Sequence, residues 1–197
     1  MTDLQATLRF HLRRKTADLH HRLDTHIGAF RTRVDYGRYL QSAELFRRLA
    51  EPELTAASDE GWFGDWRPGL VHDALAADLG DCGLEPAPGV EQILALADPA
   101  AAWGALYVAE GASLGANILL QSAEAIGFSA TRGARHLAAQ SRRSTPWPRF
   151  TALLDSRTDL DPERMVDGAR MMFETALACF DPATGSSNPS TKLAAFA

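Results

Sequence analysis

With 197 residues, 46% of them hydrophobic and 23% charged, the chain is long enough for one domain with a substantial core and unlike a disordered composition. A formal charge of −5 argues against a nucleic-acid partner, which calls for a basic face. Two cysteines without CxxC spacing, Cys82 and Cys179, argue against a disulfide framework or structural zinc, and no apolar run has bilayer length; the expectation is a soluble, cytoplasmic protein with reduced thiols and no membrane segment.

Leu4, Leu8, Leu12, Thr16, Leu19, Leu23 and Ile27 recur at helical spacing, so one amphipathic helix is expected over residues 3–27, stopped by Gly28. A second helical pattern opens at Asp35 and runs through Leu40, Phe46, Leu49 and Leu54, with Pro52 as a kink or early break. Residues 59–68 mix aromatics with breakers and read as a loop, a short helix covers Leu70 to Leu79, and residues 83–89 connect. Another short helix is expected from Val90 to Leu96. Pro99 suits the first turn of a long helix that reaches Ile126 and ends at Gly127. Arg132 to Arg143 reads as a helix, Pro146 and Pro148 interrupt, and Phe150, Leu153 and Leu154 continue the apolar pattern. A last helix is capped by Asp161, with Pro162 in its first turn, and extends to Phe180. Residues 1–182 thus form one all-α domain, an irregular bundle of seven or eight helices, and residues 183–197 are tail-like and expected to be mobile.

The long helix carries Gly104, Gly111 and Gly115, although each internal glycine costs roughly 0.5–1 kcal/mol relative to alanine. Two explanations stand at this point. Ala101, Gly104, Val108, Gly111 and Gly115 fall near one face and could seat a neighbouring helix, or something flat lies against bare backbone. Among six histidines, His20 has Thr16 one turn before it, Asp24 one turn after it and Arg13 two turns before it on roughly the same side. A neutral imidazole ligates haem iron well, and its other ring N–H is commonly oriented by a carboxylate or water, a part that Asp24 could take. His21 points about a quarter-turn away and lacks these neighbours. Trp62, Trp66, Trp103 and Trp147 read as packing residues, Tyr107 as a buried tyrosine with a bonded hydroxyl, and Glu110 as a surface carboxylate.

Leu12-Arg-Arg-Lys-Thr-Ala-Asp-Leu-His-His-Arg-Leu-Asp24 resembles the proximal helix of haem oxygenases, and Tyr107-Val-Ala-Glu-Gly-Ala-Ser-Leu-Gly-Ala116 resembles the distal helix of their bacterial branch. Weaker likeness continues at Trp147 to Leu154 and at Ala169-Arg-Met-Met-Phe173. The resemblance implies the all-α haem-oxygenase fold, with haem b held between His20 as iron ligand and backbone at Gly111 and Gly115. It further implies oxidative cleavage of haem by O2 to biliverdin, carbon monoxide and ferrous iron, with reducing equivalents from a ferredoxin, a flavoprotein reductase or another external electron donor. Arg13 is the first candidate for a propionate, ahead of Arg14, Lys15, Arg142 and Arg143; Thr16, Asp24, Tyr107, Ala112 and Ala116 complete the expected pocket. Two positions depart from the pattern: Ala112 stands where the family often has Ser, and Ala116 where some members have a second Gly.

Rival readings are a haem storage or sensing protein with the same axial histidine, a thiaminase-like hydrolase on the same fold, and a di-iron bundle. The hydrolase needs an activated cysteine, for which neither Cys82 nor Cys179 has the neighbours, and the di-iron bundle needs Glu-x-x-His pairs that the chain lacks.

Overall fold

In a computed structural model, residues 7–89, 94–143 and 146–181 are described. Among them lie eight helices: α1 Leu8–Lys15, α2 Ala17–Ile27, α3 Arg33–Asp59, α4 His72–Asp81, α5 Pro99–Glu124, α6 Arg135–Arg143, α7 Trp147–Asp155 and α8 Pro162–Phe180. The only β-type pairing among the described residues is the pair of isolated bridges from Ser129 to Arg132 and Gly133, so the all-α expectation holds. The tail at 183–197 lies outside the described residues.

Local chemistry explains most boundaries. Thr32 and Asp35 form a reciprocal capping box at the start of α3, Asp98 caps α5 through the Ala101 N–H ahead of Pro99, and Asp161 caps α8 through the N–H groups of Glu163 and Arg164. Gly28 and Gly127, both at positive φ, follow α2 and α5.

Four expectations are corrected. The first helix is not continuous: Thr16 leaves helical geometry at φ −119° and ψ 6°, and its hydroxyl donates back to the Leu12 carbonyl at 2.9 Å, a bond that competes with the helix and bends it. Pro52 does not end α3, which runs on through it to Asp59. Residues 90–93 lie outside the described set, and Leu94–Leu96 are not helical; Leu94 and Leu96 are buried in irregular chain. Finally, α6 begins only at Arg135, because residues 129–133 form a tight turn with Gly133 at φ 75°.

The main core gathers Leu12, Leu19, Leu45, Leu54, Trp103, Leu106, Phe150, Met165 and Met172 around the crossing of α5 and α8. That crossing is close because both helices present glycine. A Cβ on Gly104 would collide with the Met165 carbonyl, and one on Gly168 with the Ala101 carbonyl. A second core, with Tyr36, Leu40, Leu75, Leu79, Ala123 and Leu137, joins α3, α4 and α6 to the far end of α5. The glycine stripe of α5 therefore serves two purposes: its first third, at Ala101 and Gly104, seats α8.

Candidate functional site: a cavity between the paired N-terminal helices and the glycine face of α5

The remaining two glycines of that stripe face open space. A Cβ on Gly115 would meet nothing within 4 Å, and one on Gly111 would meet only the edge of Trp147, at 3.6 Å, an ordinary van der Waals contact. Beside them lies a cavity of about 920 Å³, bounded by α1 and α2 on one side and by α5 on the other. Such a volume fits one ligand of drug size or somewhat larger.

The structure brings the expected residues together with one exception. Arg13, Thr16, His20, Asp24, Tyr107, Gly111, Ala112 and Gly115 all line the cavity. Ala116 does not; it is fully buried and points from α5 into the protein, because one residue past Gly115 the helix has turned by about 100°. His20 presents an imidazole whose side chain is 63% exposed, with its ring centroid 5.7 Å from that of Phe173. Its Nε2 lies 3.7 Å from Asp24 Oδ1, beyond hydrogen-bond distance but close enough for electrostatic attraction or a bridging water. Thr16 is buried and its hydroxyl is committed to the Leu12 carbonyl, so its role is to set the angle at which α2 leaves α1.

Tyr107 is half-buried with its ring centroid 5.9 Å from that of Trp147. Burial raises its phenol pKa, and the neighbouring Arg13 guanidinium opposes that rise. Arg13 therefore sits at the rim near Tyr107, exposed to solvent. Arg14, Lys15 and Arg142 are exposed and do not line the cavity, and Lys15 pairs with Glu163 at 3.5 Å. The side chain of Arg143 lies outside the described residues.

Glu110 corrects the surface reading. It is 4% exposed and accepts hydrogen bonds from the Trp66 indole at 3.2 Å and the Gly69 N–H at 3.0 Å, so it fastens the loop after α3 to α5. Trp66 and Trp103 are core residues as expected, whereas Trp147 packs at the cavity wall. Several lining residues were not among those expected at the site: Arg9 and Phe10 at the mouth, Phe173 beside His20, and Tyr39, Arg47, His136 and Gln140 along the inner wall. A usable signal existed for Arg47, a charge on the otherwise apolar stripe of Tyr36, Leu40, Ala43, Ala50 and Leu54.

Two of the rival readings, the hydrolase and the di-iron bundle, fare poorly on the same geometry. Cys82 and Cys179 are both buried free thiols, and burial pushes their pKa values up to about 11 and about 12, opposite to what a thiolate nucleophile needs. Among the described residues no three His, Cys, Asp or Glu side chains come together to hold a metal, so the di-iron arrangement is absent there. No helix among the described residues is long and apolar enough to cross a membrane.

His20 and the backbone of Gly111 and Gly115 thus border one cavity in an all-α protein, the first on the N-terminal helix pair and the others on α5. Comparison with known proteins gives the class its name. Haem oxygenase PigA of Pseudomonas aeruginosa is 35% identical over 150 residues, spanning 71% of this chain and 73% of its own. The crystal structures of the NO- and CO-bound haem oxygenase of Neisseria meningitidis share the fold with a TM-score of 0.73 at 25% identity, covering 92% of this chain and 95% of that one. No family model matches the chain. On the first of these relatives, the chain belongs to the haem oxygenase family.

Proposed function

We infer that the cavity is the haem site, and that His20 and the Gly111–Gly115 backbone grip the macrocycle from its two faces. The chain is an enzyme of haem degradation, with biliverdin as product. The observation that carries the placement is the emptiness beside Gly115: a helix keeps an unfavourable residue there although no part of the protein occupies the room it leaves. Haem, when bound, supplies the iron that takes up O2 and the meso carbon that is oxidised, yielding biliverdin, carbon monoxide and ferrous iron with electrons from an external donor.

The side chains divide the remaining work. His20 would hold the iron through a ring nitrogen, with Phe173 flanking its ring and Asp24 near enough to orient it through water. Arg13, at the rim, would hold a propionate of the haem. Tyr107 and Trp147 wall the slot beside Gly111, and Ala112 contributes surface without a hydroxyl. Gly111 and Gly115 let the main chain approach the ring, which excludes bulk water from the distal face while leaving room for ordered water. The two free thiols suit a reducing, cytoplasmic setting, and a ferredoxin or flavoprotein reductase suits the need for single electrons.

The test is direct. Haemin added to the purified protein should give a Soret band that weakens in His20→Ala, and a reductant in air should then replace that band with biliverdin absorption. A Soret spectrum that persists under reductant would make the protein a haem store or sensor, and its absence would remove haem altogether.

A further inference from the structure

Three of the four large apolar side chains exposed among the described residues stand at one place. Phe10 on α1 and Leu114 and Ile118 on α5 line the mouth of the cavity, and only Leu70 lies elsewhere. Protein surfaces carry such side chains singly, so their gathering around one opening needs a cause. The two lips of the mouth differ in charge. From Gly111 to Ala123 α5 has no charged side chain, and Leu114 and Ile118 are neighbours one turn apart. Helix α1 has four cations and no acid in its eight residues. Of the four, Arg9 pairs with Asp155 and Lys15 with Glu163. Arg13 and Arg14 are exposed, pair with no carboxylate among the described residues and share a face with Phe10.

An apolar lip facing a cationic one asks for a partner that offers hydrocarbon and negative charge together. A folded acidic protein laid across the mouth would bridge an open space of about 920 Å³ and leave its walls without contact. On the α5 lip it would also meet no charge with which to fix its register. A bilayer is fluid: acyl chains fill in around Phe10, Leu114 and Ile118 whatever their contour, while anionic head groups meet Arg13 and Arg14. A helix with cations beside an aromatic side chain suits that boundary. The net charge of −5 is no bar. Residues 51–98 form an acid-rich stretch with Arg67 as its one cation, and α1 packs instead on α2, α7 and α8.

We propose that this mouth docks the haem-free protein on an anionic lipid bilayer and lets go once the slot is filled. The release rests on the haem reading: Phe10, Leu114 and Ile118 are covered by a macrocycle lying between His20 and Gly115, and Arg13 is neutralised by its propionate. Docking then also serves delivery. A flat apolar ligand with two carboxylates lies in a bilayer with its ring among the chains and its charges at the head groups, which is the layout of the mouth itself.

Sedimentation of the haem-free protein with large unilamellar vesicles decides the docking. Binding to phosphatidylglycerol vesicles, and little to phosphatidylcholine vesicles, is expected. Ile118→Ser and Phe10→Ser should each lower the partition coefficient about tenfold, the worth of one buried apolar side chain, and Arg14→Glu at least about fivefold, the worth of one cation. Leu70→Ser should leave it unchanged. All four sites are exposed, and urea midpoints matching the wild type certify the fold of each variant. No binding to either vesicle, equal binding to both, or an equal loss in Leu70→Ser overturns the proposal. So does retention on polyglutamate-coated beads without vesicle binding, which would give the mouth to an acidic protein. Protein loaded with haemin and freed of the excess should bind phosphatidylglycerol at least about tenfold more weakly, as two covered apolar side chains would dictate, and undiminished binding sinks the release. Should haemin give no Soret band with the wild type, the haem reading fails instead and the vesicle series still decides the docking.

Discussion

At the scale of single residues, two glycines on one helix have opposite expected responses to the same methyl group. Gly115→Ala adds a Cβ that touches no protein atom, so it should stabilise the apoprotein by about 0.5–1 kcal/mol, the helix-propensity difference, while weakening haemin binding and slowing turnover. Gly104→Ala drives its Cβ into the Met165 carbonyl and should destabilise by about 3 kcal/mol or more through forced separation of α5 and α8. Urea unfolding beside a haemin titration checks both, and a destabilised Gly115→Ala would show the space to be filled. The sequence marked these glycines as unusual but could not sort them, because a stripe of small residues looks alike whether it faces a helix or a void. Titration gives a second residue-scale expectation. His136 has its pKa lowered chiefly by burial, so below its ordinary value of 6.5 the unfolded chain binds the extra proton first and stability falls as pH drops. For Asp78 burial pushes the pKa up, but the His136 and Arg135 bonds outweigh it and hold it below 3.8; its contribution is full above that value and is lost as pH falls further. Urea midpoints should therefore be level from pH 6.5 up to the ordinary thiol range, where the raised pKa values of Cys82 and Cys179 begin to cost stability, and decline below pH 6.5; His136→Gln should remove the first part of that decline.

At the scale of elements, the sequence located helices better than their interruptions. The leucine spacing from Leu8 to Ile27 is uniform across Thr16, so periodicity reads one helix where the backbone makes two. The break arises from one side-chain bond, Thr16 to the Leu12 carbonyl, and from burial of that hydroxyl, which depends on what surrounds it. Capping motifs, in contrast, are local, and Pro99 and Asp161-Pro162 were legible as helix starts. Long-range anchors were not: nothing around Asp78 announces that its carboxylate holds the first N–H groups of α6, more than fifty residues away in sequence. Glu51 plays the same part for α4, accepting the Val71 and His72 N–H groups at 2.7 and 3.2 Å. Because Thr16 sets the angle between α1 and α2, Thr16→Val should cost about 1 kcal/mol for the lost buried hydrogen bond. It should also broaden the Soret band as His20 loses its fixed approach. An unaltered spectrum with the stability loss would confine Thr16 to folding.

At the scale of the whole molecule, the two walls of the cavity share a support rather than a direct seam. Helix α8 carries Phe173 against His20 of α2, and through Gly168 it also clasps Ala101 of α5, so both faces of the slot are built outward from one central helix. The mouth between them is rimmed by Phe10, Leu114 and Ile118, at 49%, 51% and 68% exposure, an apolar edge on the apoprotein that a bound macrocycle would cover. A ligand that touches α2 and α5 at once therefore ties together the two elements held least firmly to each other, whereas α4 and α6 are already fixed by Asp78, Asp81 and Arg135. Binding at a concentration of one hundred times Kd stabilises by about 2.7 kcal/mol, which for a chain of this size raises Tm by about 5–10 °C. Hydrogen exchange should locate the gain: amides of α2 and of the Gly111–Gly115 turn of α5 should slow most on addition of haemin, while those of α4 and α6 change little. His20→Ala should keep part of the thermal shift, since apolar burial survives the loss of the iron ligand, but should lose the slowing in α2. Slowing spread evenly over all helices would instead mean that haemin tightens the bundle as a whole and that its two walls do not close on it as separate parts.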